Sequence, residues 1–454
     1  MPVVPSPVYG RHVDGGREPK IRSWTRRRAP ARTTRRLRRA AAELREADRR
    51  NRVAVNLVAS ETRLSPLARL PLSTDFYNRY FLGEDGGFRG GLRVRHIETE
   101  LATDSLRRLT GARHVNTRPI SGMSAMTLVI AALGGAPGDT VISIGAESGG
   151  HYATREIVQR LGYRPVTVGF RAGRVDQEGL DHALGHGGVG LVYLDLQHSL
   201  DLLDVAAVVE VVRRHGPGIR VHVDCSHTLG LVLGGAVPHP LVAGADSMGG
   251  STHKTFPGPH KGVVFTDDDE IDARLRDAQW RLISSHHYAE TLALGLAAAE
   301  FEVFGAAYAS AVLDNARLLA EALDRRGFEV VRSDGTATRT HQVWLRAGDA
   351  DRTGRLAARL DARGIRVQDL RRLPGVPGPV IRLGTNEVTF EGAGAQSMEL
   401  LAEAFTYALR TGAGSGPTAA DVRRSFGRPY FHPEFEAAPH EAVDRLRAPA
   451  LPTS

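Results

Sequence analysis

Between Thr140 and Thr266 the chain alternates short apolar runs with helix-patterned stretches, and this alternation limits the fold more than any other feature. TVISIG, RPVTVGF, GLVYLDL, IRVHVDCS, ADSMGG and GVVFT read as strands. His151 to Leu161, GRVDQEGLDHAL and DVAAVVEVVRRHG read as the helices between them. Strands separated by helices predict a mostly parallel sheet covered on both faces, with the site in the loops at the carboxyl ends of the strands. Upstream, RRLRRAAAELREADRR has the i,i+4 charge pairs of a solvated helix, VNLVASE is extended, and NTRPISGMSAMTLVIAAL is a loop feeding a helix at about Ser124. From about Ser285 a long apolar-faced helix leads to a smaller α/β unit that ends in PVIRLGT. The expected organisation is a basic disordered arm (1–35), an N-terminal segment with the large domain (36–285), a connecting helix with a small C-terminal domain (286–410), and a linker and tail (411–454).

Charge and lysine usage narrow the chemistry. Residues 1–52 hold 15 Arg and 1 Lys against 5 acidic side chains, so the net charge of +8 belongs to the arm and the rest of the chain is slightly acidic. A solvated extension explains such an arm better than a nucleic-acid surface does. The apolar runs are broken within about a dozen residues, short of the ~20 that a membrane span needs. The single cysteine, Cys225, and the absence of zinc-type ligand spacing predict a cytoplasmic protein with no structural metal. Of 59 basic residues only Lys20, Lys254 and Lys261 are lysine. Arginine can replace lysine where charge alone is needed, but it cannot lose its proton to become a nucleophilic amine, so a surviving lysine is a candidate for imine chemistry. Lys254 and Lys261 share the loop STHKTFPGPHKGVVF, in which Lys261 is expected to face solvent.

Asp224 ends the strand IRVHVD, and Lys254 follows the next predicted strand. An acidic strand end and a lysine suit a flat cationic heteroaromatic cofactor, with the lysine forming an imine and the aspartate holding the ring nitrogen protonated; pyridoxal 5'-phosphate is that cofactor. Gly122, Met123 and Ser124, at a helix start, would offer backbone N–H groups to its phosphate. Taken singly, an Asp after a strand is most often a turn or cap, and SG before a helix is usually only a turn. Gln197, in LDLQHS, is a candidate contact to the cofactor, or else a polar strand end. His286 and His287 read as a helix start, and Ser284 or Ser285 could cap that helix.

Across about residues 53–410 the segments VNLVASE, YNRYFLGE, ISGMSA, SGGH, VDCSHTLGL, STHKTFPGPHKG and RLGTNEVT resemble, in order and rough spacing, those of the serine hydroxymethyltransferases among fold-type I pyridoxal-phosphate enzymes. The resemblance implies that Lys254 carries the cofactor, that Asp224 pairs with the pyridine nitrogen, and that His227 lies beside the phenolic oxygen. It also implies that His253 forms a wall of the site and that Arg382 binds the amino-acid carboxylate with its planar fork. Ser60 and Tyr80 would line the substrate pocket, Tyr80 reaching across from a neighbouring subunit, since members are dimers or dimers of dimers. The departures point elsewhere. Leu82 stands where the family has a catalytic Glu, Phe88 and Arg89 replace paired tyrosines, Ser148 replaces the ring-stacking histidine while His151 is kept, His260 replaces an Arg, and Met123 replaces a phosphate-contacting Ser. Amino-acid chemistry without the one-carbon apparatus predicts a folate-independent aldolase or transaldolase acting on a β-hydroxy-α-amino acid such as threonine, with an aldehyde as second substrate. The alternatives are a tetrahydrofolate-dependent glycine/serine hydroxymethyltransferase and a non-catalytic or nucleic-acid-binding derivative.

Overall fold

The computed structural model describes residues 31–82, 87–410 and 416–435. Residues 1–52 and 53–454 separate as two compact units. Of the first unit the described part is helix α1, Ala31–Val53, which is laced on its solvent face by the pairs Arg39–Glu43, Arg50–Glu46 and Arg52–Asp48 at 2.7 to 2.8 Å. The helix thus begins inside the stretch expected to be a disordered arm, because alanines and i,i+4 charge pairs reward helix even without a buried face. Residues 1–30 lie outside the described residues.

In the second unit seven strands form one sheet: β1 His114–Asn116, β2 Thr140–Ile144, β3 Arg164–Val168, β4 Val189–Asp195, β5 Arg220–Asp224, β6 Ser247–Ser251 and β7 Gly262–Thr266. Their order is β1-β7-β6-β5-β4-β2-β3. β3, β2, β4, β5 and β6 run parallel, while β7 is antiparallel to both β6 and β1. Alternate residues feed two cores, as a pleated strand dictates. Val141, Leu191 and Tyr193 pack with Leu128 and Val129 of helix α2, Gly122–Leu133, on one face. Ile142, Val192 and Leu194 pack with Val208 and Val212 of the helix Val205–His215 on the other. Each such fully buried side chain contributes about 2 kcal/mol. This double covering is why the strands read as continuous apolar runs.

Helix α3, Tyr288–Arg325, starts after His287, which sits at φ 53° and caps nothing through its side chain, so neither Ser284 nor Ser285 is the cap. Its Leu294, Ala297 and Phe301 belong to the core under the large sheet, and its Ala316, Leu319 and Leu323 to a second core. α3 has the length and apolar content of a membrane span, unlike any run expected from the sequence, but 61% of its most apolar window is buried against this chain, as befits a core helix. The second core lies under a four-stranded antiparallel sheet of β8 Glu329–Val330, β9 Gln342–Arg346, β10 Gln368–Leu370 and β11 Val380–Gly384, in the order β8-β9-β11-β10. In this register Arg382 stands between Trp344 and Gln368. Residues 416–435 are not a loose tail. Thr418 and Asp421 form a reciprocal capping box for the helix Ala419–Arg424, and Arg423 pairs with the buried Glu391 at 2.7 Å.

Candidate active site

The carboxyl ends of β4 and β5 lie side by side and place Asp195 directly opposite Asp224. Asp224 is held rigidly: Tyr193 donates its hydroxyl to Oδ2 at 2.7 Å, and the Ser226 amide donates to Oδ1 at 2.8 Å. Gly250, at φ +134°, allows β6 to pass here, since a Cβ would fall 2.6 Å from Asp224 Oδ1. Asp195 is buried, accepts a hydrogen bond from Thr154 through Oδ2, and leaves Oδ1 without a partner. Burial, together with the charge of Asp224, pushes its carboxyl up to about 7.

Lys254 follows β6. Its carbonyl is gripped by the Thr62 hydroxyl and by Asn386 Nδ2 at 3.4 Å, and the next carbonyl, of Thr255, accepts from the buried Tyr308 hydroxyl at 2.9 Å. Burial, with the Arg382 charge acting in the same direction, pushes the Lys254 amine down to about 8 against the pull of Asp224 and Asp195. The amine is therefore neutral for an appreciable fraction of the time near pH 7.

Arg382 is 2% exposed. Its Nε and Nη2 both donate to Gln368 Oε1, at 2.9 and 2.6 Å, and Nη1 donates to the Gln197 carbonyl at 3.2 Å and to His198 Nδ1 at 2.9 Å. All three partners are neutral, and among the described residues no carboxylate pairs with it. Burial pushes the guanidinium down to about 10. A desolvated cation held in a fixed plane without a counter-ion is a receptor for a small carboxylate.

Burial disfavours the charged forms of His227, His253 and His151. His227, on the turn after β5, stacks on His341 with centroids 5.6 Å apart; burial and then the charge of Lys254 hold it well below the usual imidazole range. His253 stacks on His260 at 3.7 Å, and burial pushes it down to about 3. The Nδ1 atoms of both His227 and His253 are buried without a partner, so each is available to hydrogen-bond whatever binds. His151 lies in the field of both Asp224 and Lys254, and burial holds it below its ordinary range. At the start of α2, Ser121 caps the helix by accepting from the Ser124 amide at 3.1 Å. The Ser124 N–H is therefore already used, contrary to expectation, and the first-turn amides of Gly122 and Met123 remain for an anion. A Cβ at Gly122 would meet Ser251 Oγ at 2.0 Å, so the α2 start and the end of β6 pack as closely as backbone allows. An amine of depressed pKa, a fixed carboxylate, orphaned imidazole nitrogens and free helix-start amides together fit pyridoxal 5'-phosphate.

Other expectations resolve differently. Gln197 enters the site through its backbone carbonyl, which accepts from Arg382 and, at 3.5 Å, from Gln342 Nε2. Ser148 ends a single 3-10 turn, and Ser60 is half-buried next to Ala59, whose carbonyl accepts from His341 Nε2 at 3.0 Å. Tyr80 is 48% exposed with its ring tilted on Phe88 at 5.1 Å, and it is not gathered to Lys254 within the chain. Lys261 is buried, not solvent-facing: its Nζ donates to the His286 carbonyl at 2.7 Å, and burial pushes it down to about 7. The chain folds back between Thr252 and Lys261, which exchange backbone and hydroxyl hydrogen bonds, and this turns the side chain inward. Asp195, His198 and Gly250 were missed from sequence. Asp195 and His198 flank Gln197 at a strand end, and a polar pair there was the one available signal.

A family model described as serine hydroxymethyltransferase matches residues 38–405. An L-threonine:uridine-5'-aldehyde transaldolase of a Streptomyces species is 52% identical over 407 residues, covering 88% of this chain and 99% of that protein. A serine hydroxymethyltransferase of Methanothermobacter thermautotrophicus is 30% identical over 393 residues, covering 83% of this chain and 91% of that one. The crystal structure of L-threonine transaldolase from Pseudomonas fluorescens, in its internal aldimine state, superposes with a TM-score of 0.77 at 25% identity, covering 91% of this chain and 99% of that one.

Proposed function

The chain belongs to the serine hydroxymethyltransferase family, and from that premise we propose that it is a threonine transaldolase, which splits the Cα–Cβ bond of L-threonine and joins the glycine fragment to a nucleoside 5'-aldehyde of the uridine kind. The observation that carries this reading is the buried Arg382, a cation with neutral partners only, presented beside Lys254 and the rigid Asp224. The 52% identity to a transaldolase, against 30% to a hydroxymethyltransferase, selects the aldehyde over folate. So does Leu82, 37% exposed, which cannot move a proton where the family's glutamate would.

Pyridoxal 5'-phosphate, when bound, supplies the electron sink into which the Cα–Cβ electron pair can flow. Lys254 Nζ, neutral part of the time, is the amine that can join a carbonyl and carry a proton to or from Cα. Asp224, oriented by Tyr193 and Ser226, would hold a proton on the cofactor's ring nitrogen. Arg382, by giving up its two bonds to Gln368 Oε1, could hold the threonine carboxylate bidentately through Nε and Nη2 and so orient the Cα–Cβ bond for cleavage. His227 and His253 would each hydrogen-bond the bound group at Nδ1, and burial disfavours their adding charge beside Lys254 and Arg382. Tyr80, exposed beside Phe88 and Leu82, serves the site of a second copy in a homodimer, and the enzyme works in the cytoplasm, in keeping with one buried, unpaired cysteine. Incubating the holoenzyme with threonine should release acetaldehyde without tetrahydrofolate and, with the nucleoside aldehyde, yield a new β-hydroxy-α-amino acid. Strictly folate-dependent conversion of serine to glycine, with no threonine cleavage, would refute the assignment.

A further inference from the structure

A cleft of about 690 Å³ runs outward from the site, within the range of about 300–1,000 Å³ usual for small-molecule sites. Its inner end is formed by Ser148 and His198, and His198 is the residue whose Nδ1 lies 2.9 Å from Arg382 Nη1. Arginine can only donate, so Nδ1 is the acceptor and the proton of the neutral ring sits on Nε2. Burial keeps this imidazole uncharged, pushing it down to about 3. The Nε2–H has no partner among the described residues and is offered to the cleft.

One wall is Phe170 with Arg171, the other Trp344 with Pro374. Trp344 is itself fixed: its indole N–H donates to Gln342 Oε1 at 3.0 Å, and Gln342 reaches the same Gln197 carbonyl that orients Arg382. Flat apolar walls take a flat ring, and the polar groups around them say which kind. Arg171 is exposed with no ion pair among the described residues, and Glu147, which lines the same cleft, is likewise unpaired among them. A guanidinium can donate to the two carbonyls of a pyrimidine dione, and a carboxylate can accept from sugar hydroxyls. The carboxylates of Glu147, Asp201 and Asp334 line the same cleft and offset its arginines, which disfavours a phosphorylated occupant.

We propose that this cleft binds the non-reacting part of the acceptor, a neutral pyrimidine nucleoside, with the aldehyde carbon directed inward and its oxygen accepting the His198 Nε2–H. The proposal rests on the transaldolase reading for the aldehyde, but the binding site can be tested without turnover. The holoenzyme should bind uridine by calorimetric titration, Pro374→Trp should weaken that binding at least tenfold, Arg171→Ala should weaken it several-fold, and uridine 5'-monophosphate should bind no tighter than uridine. In turnover, Pro374→Trp should raise KM for the nucleoside aldehyde by a similar factor, while exchange of labelled acetaldehyde into threonine, an acceptor too small to reach the walls, stays within twofold of the parent and reports an intact fold. Uridine binding unaffected by both variants, tighter binding of the monophosphate, or a parallel loss of both exchange and nucleoside-aldehyde turnover would overturn the cleft assignment. Failure of threonine cleavage in the parent enzyme, with uridine binding still sensitive to Pro374→Trp, would instead overturn the reaction and leave the cleft standing.

Discussion

Lys254, half-buried, and Lys261, fully buried, lie seven residues apart in one loop, and both amines are pushed down, to about 8 and about 7. Burial alone therefore does not make a reactive lysine. What separates them is the surroundings of the nitrogen. Lys261 Nζ is tied to the His286 carbonyl at 2.7 Å, in a pocket that also holds the Glu98–Arg118 pair at 2.8 Å. His286 in turn reaches the Phe81 carbonyl with Nε2 at 2.7 Å, so Lys261 staples the start of α3 to the segment that carries Tyr80. Lys254 instead has its backbone anchored by Thr62 and Asn386, with its amine set among Asp224, Asp195 and Arg382. One lysine spends its hydrogen bonds on the fold, and the other keeps its amine for a ligand.

The comparison can be sharpened by changing the groups around each amine. The largest effect is expected from Asp224→Asn, which keeps the shape but removes the charge facing Lys254; kcat for threonine cleavage should fall by about 10² to 10⁴ with cofactor still bound. Near-normal turnover would mean that Asp195 or another group sets the ring's electronics. Arg382→Lys should raise KM for threonine about 10²-fold, because an ammonium cannot make the two parallel bonds of a guanidinium, and should affect kcat less. An unchanged KM would place the carboxylate receptor elsewhere. Lys261→Met should leave catalysis within a few-fold and cost about 1–3 kcal/mol of stability through the orphaned His286 carbonyl, read by denaturant unfolding.

Both depressed lysines tilt stability in the same direction with pH, and Lys261, pushed down further, does so more than Lys254. A lysine whose folded pKa lies below its unfolded value of 10.5 penalises the native state increasingly as pH falls from 10.5 toward about 7, and by a constant amount below that. The parent protein should therefore gain stability between pH 7 and pH 10 relative to Lys261→Met, and coincident profiles would show that Lys261 is not buried as described.

Much of the fold and the chemical core could be read from the residues, because both rest on local signals. Short apolar runs alternating with helix-patterned stretches marked the parallel sheet, and the strand ends followed from it, which placed Asp224 and Lys254 together. Arg382 came from its surrounding RLGT. What escaped notice depends on partners far along the chain. The burial of Lys261 requires the carbonyl of His286, 25 residues away, and the tautomer of His198 requires Arg382, 184 residues away. Asp195 reads as an ordinary strand end until the register sets it against Asp224. The segment 416–435 hid behind a Gly/Ser-rich stretch, and what holds it down lies far along the chain: the Arg423–Glu391 pair, the Gly427 amide on the Gly392 carbonyl at 2.7 Å, and the packing of Val422 and Phe431.

The central claim is that the two lysines of this loop have different tasks, and borohydride reduction of the holoenzyme followed by peptide mapping tests it directly. The account predicts a single pyridoxyl label on Lys254, lost together with absorbance near about 420 nm in Lys254→Ala and retained in Lys261→Met. A label on Lys261, or an undiminished label in Lys254→Ala, would contradict it.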